Sequence, residues 1–221
     1  MSSIGQLIIY KNKHLIALNK PATLPVQSDQ SGDKALLDLA EIYCKSRLHL
    51  LHRLDRPTSG LVLFARNKAA MLAMNEQFQK GDIQKTYLAV VGQAPTPEEG
   101  LLEHYLIRDG RHKKARITDA QSEGSKLAQL RYQVNRQSER YTLLEIQLLT
   151  GRFHQIRAQL AAIGHPIKGD VKYGFRRSNR DRSIHLHAWK LQFKHPISQE
   201  IVSLKAPLPD DSLWNAFEIE N

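Results

Sequence analysis

Two spacings of apolar residues alternate along this chain. Residues 7–10 and 15–19 are short apolar runs on either side of Lys11-Asn12-Lys13, which predicts a hairpin. Leu61-Val62-Leu63-Phe64-Ala65 is unbroken, as expected of a strand covered on both faces, and Pro57 and Gly60 ahead of it predict a turn into that strand. The spacing then lengthens. Ala70, Met71, Met74 and Phe78 share one face of a helix that Asn67 caps and Gly81 ends. A helix is also expected over 34–44, with Asp33 as its N-cap, and strand patterns fall at 85–92, 101–107, 127–135 and 141–149. Phe153, Ile156, Leu160 and Ile163 return to helical spacing, with Thr150 placed as N-cap and Gly164 as terminator. Strand patterns at 184–193 and 200–205 and a short helix from Asp211 complete the chain. No repeat or long linker interrupts this order. It predicts an α+β fold, a single domain over 1–221 whose mixed, mainly antiparallel sheet is flanked by helices and loops around a cleft.

Composition narrows the class. At 221 residues, 41% hydrophobic and 24% charged, the chain can bury a sizeable core. No apolar run approaches the roughly 18 residues of a membrane span, so no membrane partner is expected. Met1-Ser2-Ser3-Ile4-Gly5 lacks a basic start and an apolar stretch, which predicts no secretory leader. One cysteine, Cys44, cannot form an internal disulfide and fits a reducing cytoplasm; it falls in a helical pattern as a small core residue.

Charge adds a partner. Thirty-two Lys and Arg against 22 Asp and Glu leave a formal charge of +10, which favours a polyanion such as nucleic acid. The excess gathers in two stretches expected as loops: Arg108, Arg111, Lys113, Lys114 and Arg116, and Lys172, Arg176, Arg177, Arg180 and Arg182. A solvated basic surface without a specific ligand would carry the same pattern. Gly151-Arg152 sits in the first turn expected of the third helix, where free amides favour a phosphate, and Arg157 and Gln159 lie off its apolar stripe.

His52-Arg53-Leu54-Asp55-Arg56-Pro57-Thr58-Ser59-Gly60 concentrates the chemistry. A carboxylate, guanidinium groups and an imidazole precede a buried strand, so Asp55 would be presented on a loop held by a rigid element. An Asx-type turn that only satisfies local amides reads these residues equally well. Neither His49 with His52 nor His185 with His187 is completed by Cys or carboxylate ligands, so no metal site is expected.

Taken together, this segment, Leu18-Asn19-Lys20-Pro21, Lys85-Thr86-Tyr87, Thr150-Gly151-Arg152-Phe153-His154-Gln155-Ile156-Arg157, Gly164-His165-Pro166-Ile167-Lys168-Gly169-Asp170 and Leu186-His187-Ala188 resemble the RluA-type RNA pseudouridine synthases. The motifs match in order and spacing over nearly the whole chain. The resemblance implies isomerisation of a uridine in structured RNA, ribosomal or transfer, in which the N-glycosidic bond is exchanged for a C–C bond. It makes Asp55 the catalytic carboxylate, Arg157 its charge partner, and Tyr87 the aromatic that packs against the target uracil and can help remove its proton. Arg53 fills the gap left by the flipped base or holds its phosphate, while His52 orients the loop. Arg56, Thr58, Arg152, Lys113 and Arg177 complete the expected RNA contacts. No cofactor or metal is implied, and a cytoplasmic monomer is expected.

Two positions depart from the common pattern: Ala22 stands where glycine often follows Lys-Pro, and Gln159 where histidine often follows the helix arginine. The first strand pattern begins at Leu7, so an S4-like domain of the kind many relatives carry is not expected. An RNA-binding protein with a vestigial pocket, or a hydrolase using Asp55 as a base, are the competing readings. Asp55, Tyr87 and Arg157 being present together favours the synthase.

Overall fold

In a computed structural model the described residues are 4–28 and 32–219. Residues 1–3, part of the segment read as lacking a leader, lie outside them. The elements in order are β1 (Ile8–Lys11), β2 (Leu15–Lys20), α1 (Leu36–Cys44), β3 (His49–Leu50), β4 (Ser59–Ala65), α2 (Lys68–Lys80), β5 (Gln84–Val91) and β6 (Glu99–Asp109). There follow β7 (Lys114–Thr118), β8 (Lys126–Gln137), β9 (Thr142–Leu148), α3 (Gln155–Ala162), β10 (Leu186–Lys194), β11 (Ile201–Lys205) and α4 (Ser212–Asn215). The fold is α+β, with its strand pairs β1–β2, β2–β4, β5–β9, β9–β8, β8–β6, β6–β7 and β10–β11 all antiparallel.

By internal packing the chain divides into two compact units, one of residues up to Lys85 with Ala188–Pro209, the other of Thr86–His187 with the C-terminal segment from Asp210. In the first unit the strand order is β1-β2-β4-β10, with β3 on β4 and β11 on β10. Every residue of β4 is buried, as its unbroken apolar run requires. Leu61, Leu63 and Ala65 pack with Leu15 and Ala17 of β2, with Ala70 and Met74 of α2, and with Leu191 and Phe193 of β10. Met71 and Phe78 complete the predicted face of α2. That helix begins and ends where its local signals say: the Asn67 side chain accepts from the Ala70 amide at 2.9 Å, and Gly81 adopts φ 78°.

In the second unit the order is β5-β9-β8-β6-β7. Tyr87, Ile146, Tyr132 and Gly100 stand opposite one another across four strands and share one face. The face carries Leu130 and Ala128 further along β8, and α3 lies on it, Ala158 packing with Leu106, Ala115 and Ala128.

Several sequence expectations shift. α1 starts at Leu36, two residues late: the Asp38 carboxylate accepts from the Ala35 amide at 3.0 Å, while Asp33 is engaged by Arg56. Cys44 ends α1 half-buried rather than in the core. The first basic stretch is not all loop, since Lys114 and Arg116 lie on β7. α3 starts at Gln155 after His154, not behind Thr150. The amides of the Gly151-Arg152 segment are only partly open. Gln155 folds back so that its Oε1 accepts from the Arg152 amide at 3.0 Å and the Thr150 hydroxyl at 2.8 Å, taking one of the two amides that were expected to be free.

Candidate active site

Asp55 is half-buried in the loop before β4. Its backbone carbonyl accepts from the Thr58 amide at 3.0 Å, closing a tight turn, and the chain enters β4 through Gly60. Glycine is required there: φ is 110°, and a Cβ would stand 2.3 Å from the Ala188 carbonyl oxygen. The Thr58 side chain is buried, and its hydroxyl has no hydrogen-bond partner among the described residues.

The loop is fastened from the Asn19-Lys20-Pro21 segment. Lys20 is fully buried, and its Nζ donates to the carbonyls of Leu24 at 2.8 Å, Pro21 at 3.0 Å and Arg56 at 3.2 Å. The Arg56 carbonyl also accepts from the Thr23 amide at 2.7 Å. Arg56 returns the contact through its side chain, Nε donating to the Thr23 carbonyl at 2.9 Å and Nη2 pairing with Asp33. Burial pushes the Lys20 pKa down to about 7, Asp55 pulling the other way. The sequence contained Lys20 only as part of a motif; nothing in its spacing revealed a clamp.

His52 holds the other end of the loop. Its Nε2 accepts from the Leu63 amide of β4 at 3.0 Å, so the ring is neutral. Burial and then Lys85 lower its pKa to about 4. It acts as an orienting acceptor. Arg53 is exposed.

In the second unit, Tyr87 is 8% exposed on β5, and Arg157 is buried on α3, which packs on the sheet face that carries Tyr87. Arg157 grips Asp170 with two bonds, Nε to Oδ2 at 2.6 Å and Nη2 to Oδ1 at 2.8 Å. This forked geometry fixes the plane of the guanidinium. Gln159 is fully buried one turn-face away, its Nε2 3.1 Å from the carbonyls of Leu102 and Ala128. Arg152 is exposed and donates from Nε to the Leu127 carbonyl at 2.9 Å; Lys113 and Arg177 are exposed in the two basic segments. Asp170 was visible in the sequence only as the end of a motif, because its partner lies thirteen residues earlier on α3.

The family model for RNA pseudouridylate synthase matches residues 14–162. The chain is 34% identical to an uncharacterized RNA pseudouridine synthase of Bacillus subtilis, over 94% of this chain and 70% of that one. It is 31% identical to ribosomal large subunit pseudouridine synthase C of Yersinia pestis, over 94% and 67%. Ribosomal large subunit pseudouridine synthase D of Nitrosomonas europaea is 35% identical, over 92% and 62%. Among solved structures, human RNA pseudouridylate synthase domain containing 4 superposes with a TM-score of 0.76 at 26% identity, covering 94% of this chain and 90% of that one. The chain therefore belongs to the RNA pseudouridylate synthase family, and within it to the RluA type. It is an RNA pseudouridine synthase, an isomerase acting on uridine in RNA.

Proposed function

We propose that Asp55 is the reacting carboxylate of this enzyme and that its substrate is a uridine in a structured ribosomal or transfer RNA. What carries the reading is the fastening of the Asp55 loop: a half-buried carboxylate is held by a three-carbonyl lysine clamp on one side and a histidine acceptor on the other. A loop built only to turn needs neither. The names of the curated relatives favour large-subunit ribosomal RNA.

The target base is flipped from its stack, at a cost of a few kcal/mol that phosphate contacts from Arg53, Arg152, Lys113 and Arg177 offset. Ionised Asp55 labilises the bond between N1 and C1′. The uracil turns, C5 bonds to C1′, the C5 proton leaves and N1 is protonated, so the product is an isomer. Tyr87 offers an aromatic face for the base and a hydroxyl near the proton that departs. Arg157 is the cation of this machinery, and Thr58 contributes a hydroxyl on the reacting loop.

Asp55→Asn is expected to abolish pseudouridine formation while RNA affinity stays within about twofold. Carbodiimide-stop sequencing of total RNA from cells with the gene, without it, and with the variant reads both the site and its loss. Wild-type modification by the variant would sink the assignment of Asp55.

A further inference from the structure

Around Arg157 the second unit holds a further group of side chains. The guanidinium carbon lies 5.0 Å from the centre of the Tyr173 ring. Tyr173 ends a one-turn 3-10 helix, Val171–Tyr173, directly after Asp170. Its hydroxyl accepts from the Ala115 amide of β7 at 2.8 Å and lies 2.9 Å from His154 Nδ1. A phenol has a single proton. Two acceptors face it, the Ala115 carbonyl at 3.3 Å and His154 Nδ1 at 2.9 Å; donation over the shorter distance makes His154 a neutral acceptor, consistent with burial and the nearby Arg157 and Lys172 lowering its pKa to about 3.

The same residues reach the basic hairpin of β6 and β7 by two more contacts. Lys172 Nζ donates to the Lys113 carbonyl at 3.2 Å. His154 stacks on Phe153 with ring centres 3.8 Å apart, and the Arg108 guanidinium covers the other ring at 4.8 Å. β7 pairs with β6 and ends the strand order of this unit, so its outward amides need partners from elsewhere; Tyr173 provides one.

We propose that Tyr173 is a positioning residue: its ring seats the Arg157 guanidinium, and its hydroxyl, shared between Ala115 and His154, ties that seat to the basic β6–β7 hairpin, so that RNA held by the hairpin sets Arg157 for turnover. The inference rests on the reading of Arg157 as part of the catalytic machinery. A hydroxyl that served folding alone would affect stability; one that couples hairpin to arginine affects turnover in the folded enzyme.

Purified full chain is assayed on transcripts of the RNA in which carbodiimide mapping locates the site. Tyr173→Phe keeps the ring and removes the hydroxyl; His154→Leu removes the acceptor. Each is expected to lower kcat about tenfold with KM within about twofold, and the double variant falls no further, because one linked unit has been broken. His154→Asn retains an acceptor near the place of Nδ1 and suits the left-handed backbone there, φ 52°, so it restores kcat to within about threefold of wild type. Wild-type kcat in Tyr173→Phe overturns the proposal, as do multiplying losses in the double variant or a kcat loss in Tyr173→Phe matched by a lowered urea midpoint. Arg157→Lys separates the two readings: if it turns over normally, the role of Arg157 falls and this inference with it. If it is inactive while Tyr173→Phe is unimpaired, only the coupling falls.

Discussion

Gly60 and two histidines show how much single residues decide here. A methyl at Gly60 would collide with the Ala188 carbonyl in a backbone region that disfavours side chains, so Gly60→Ala is expected to cost about 3 kcal/mol or more. A drop in urea midpoint at constant m measures it; an unchanged midpoint would contradict the packing. The pKa values of His52 and His154 are lowered from 6.5 to about 4 and about 3, so on acidification the unfolded chain takes up protons before the folded one. Their contribution is complete above pH 6.5 and lost progressively as pH falls toward 4 for His52 and 3 for His154. Thermal unfolding followed from pH 7 to 4 should show this fall, shallower in His154→Asn; identical pH slopes would contradict it. In the sequence Asp55 stood out because its neighbours are local. The burial of Lys20 and the Arg157–Asp170 fork did not, since each depends on groups brought together by folding.

Helix α2 was legible to the residue because its cap and terminator act within one turn. Asn67→Ala removes the acceptor for the Ala70 amide and should cost about 1 kcal/mol by chemical denaturation, whereas no loss would mean that the cap is idle. Helix α3 was legible in its apolar spacing but not in its start. Its N-terminus is organised by Gln155, whose Nε2 donates to the Gln129 carbonyl of β8 at 3.0 Å, a contact 26 residues away. β7 escaped for a related reason: Lys114 and Arg116 look like loop residues, and only pairing of Ala115 with Arg108 makes them a strand. Long-range pairing overrides local preference there.

At the scale of the molecule, the charge of +10 is expected to favour capture of RNA through its phosphates. Neutralising Lys113 or Arg177 should weaken RNA binding and reduce the slope of log K against log salt by about 1 each, as expected for lost phosphate contacts. Filter binding across a salt series tests this, and two unaltered slopes would remove both segments from the footprint. By itself the sequence determined the class of fold, the family and the loop that bears Asp55, because those are written in short motifs and periodicities whose physics is local. Tertiary structure alone decided that Lys20 clamps that loop through three carbonyls, that Gln155 takes the Arg152 amide, and that Tyr173 joins a strand edge to Arg157. Each of these depends on a donor meeting an acceptor or ring that only the folded backbone brings within reach, and neither composition nor local spacing encodes that distance.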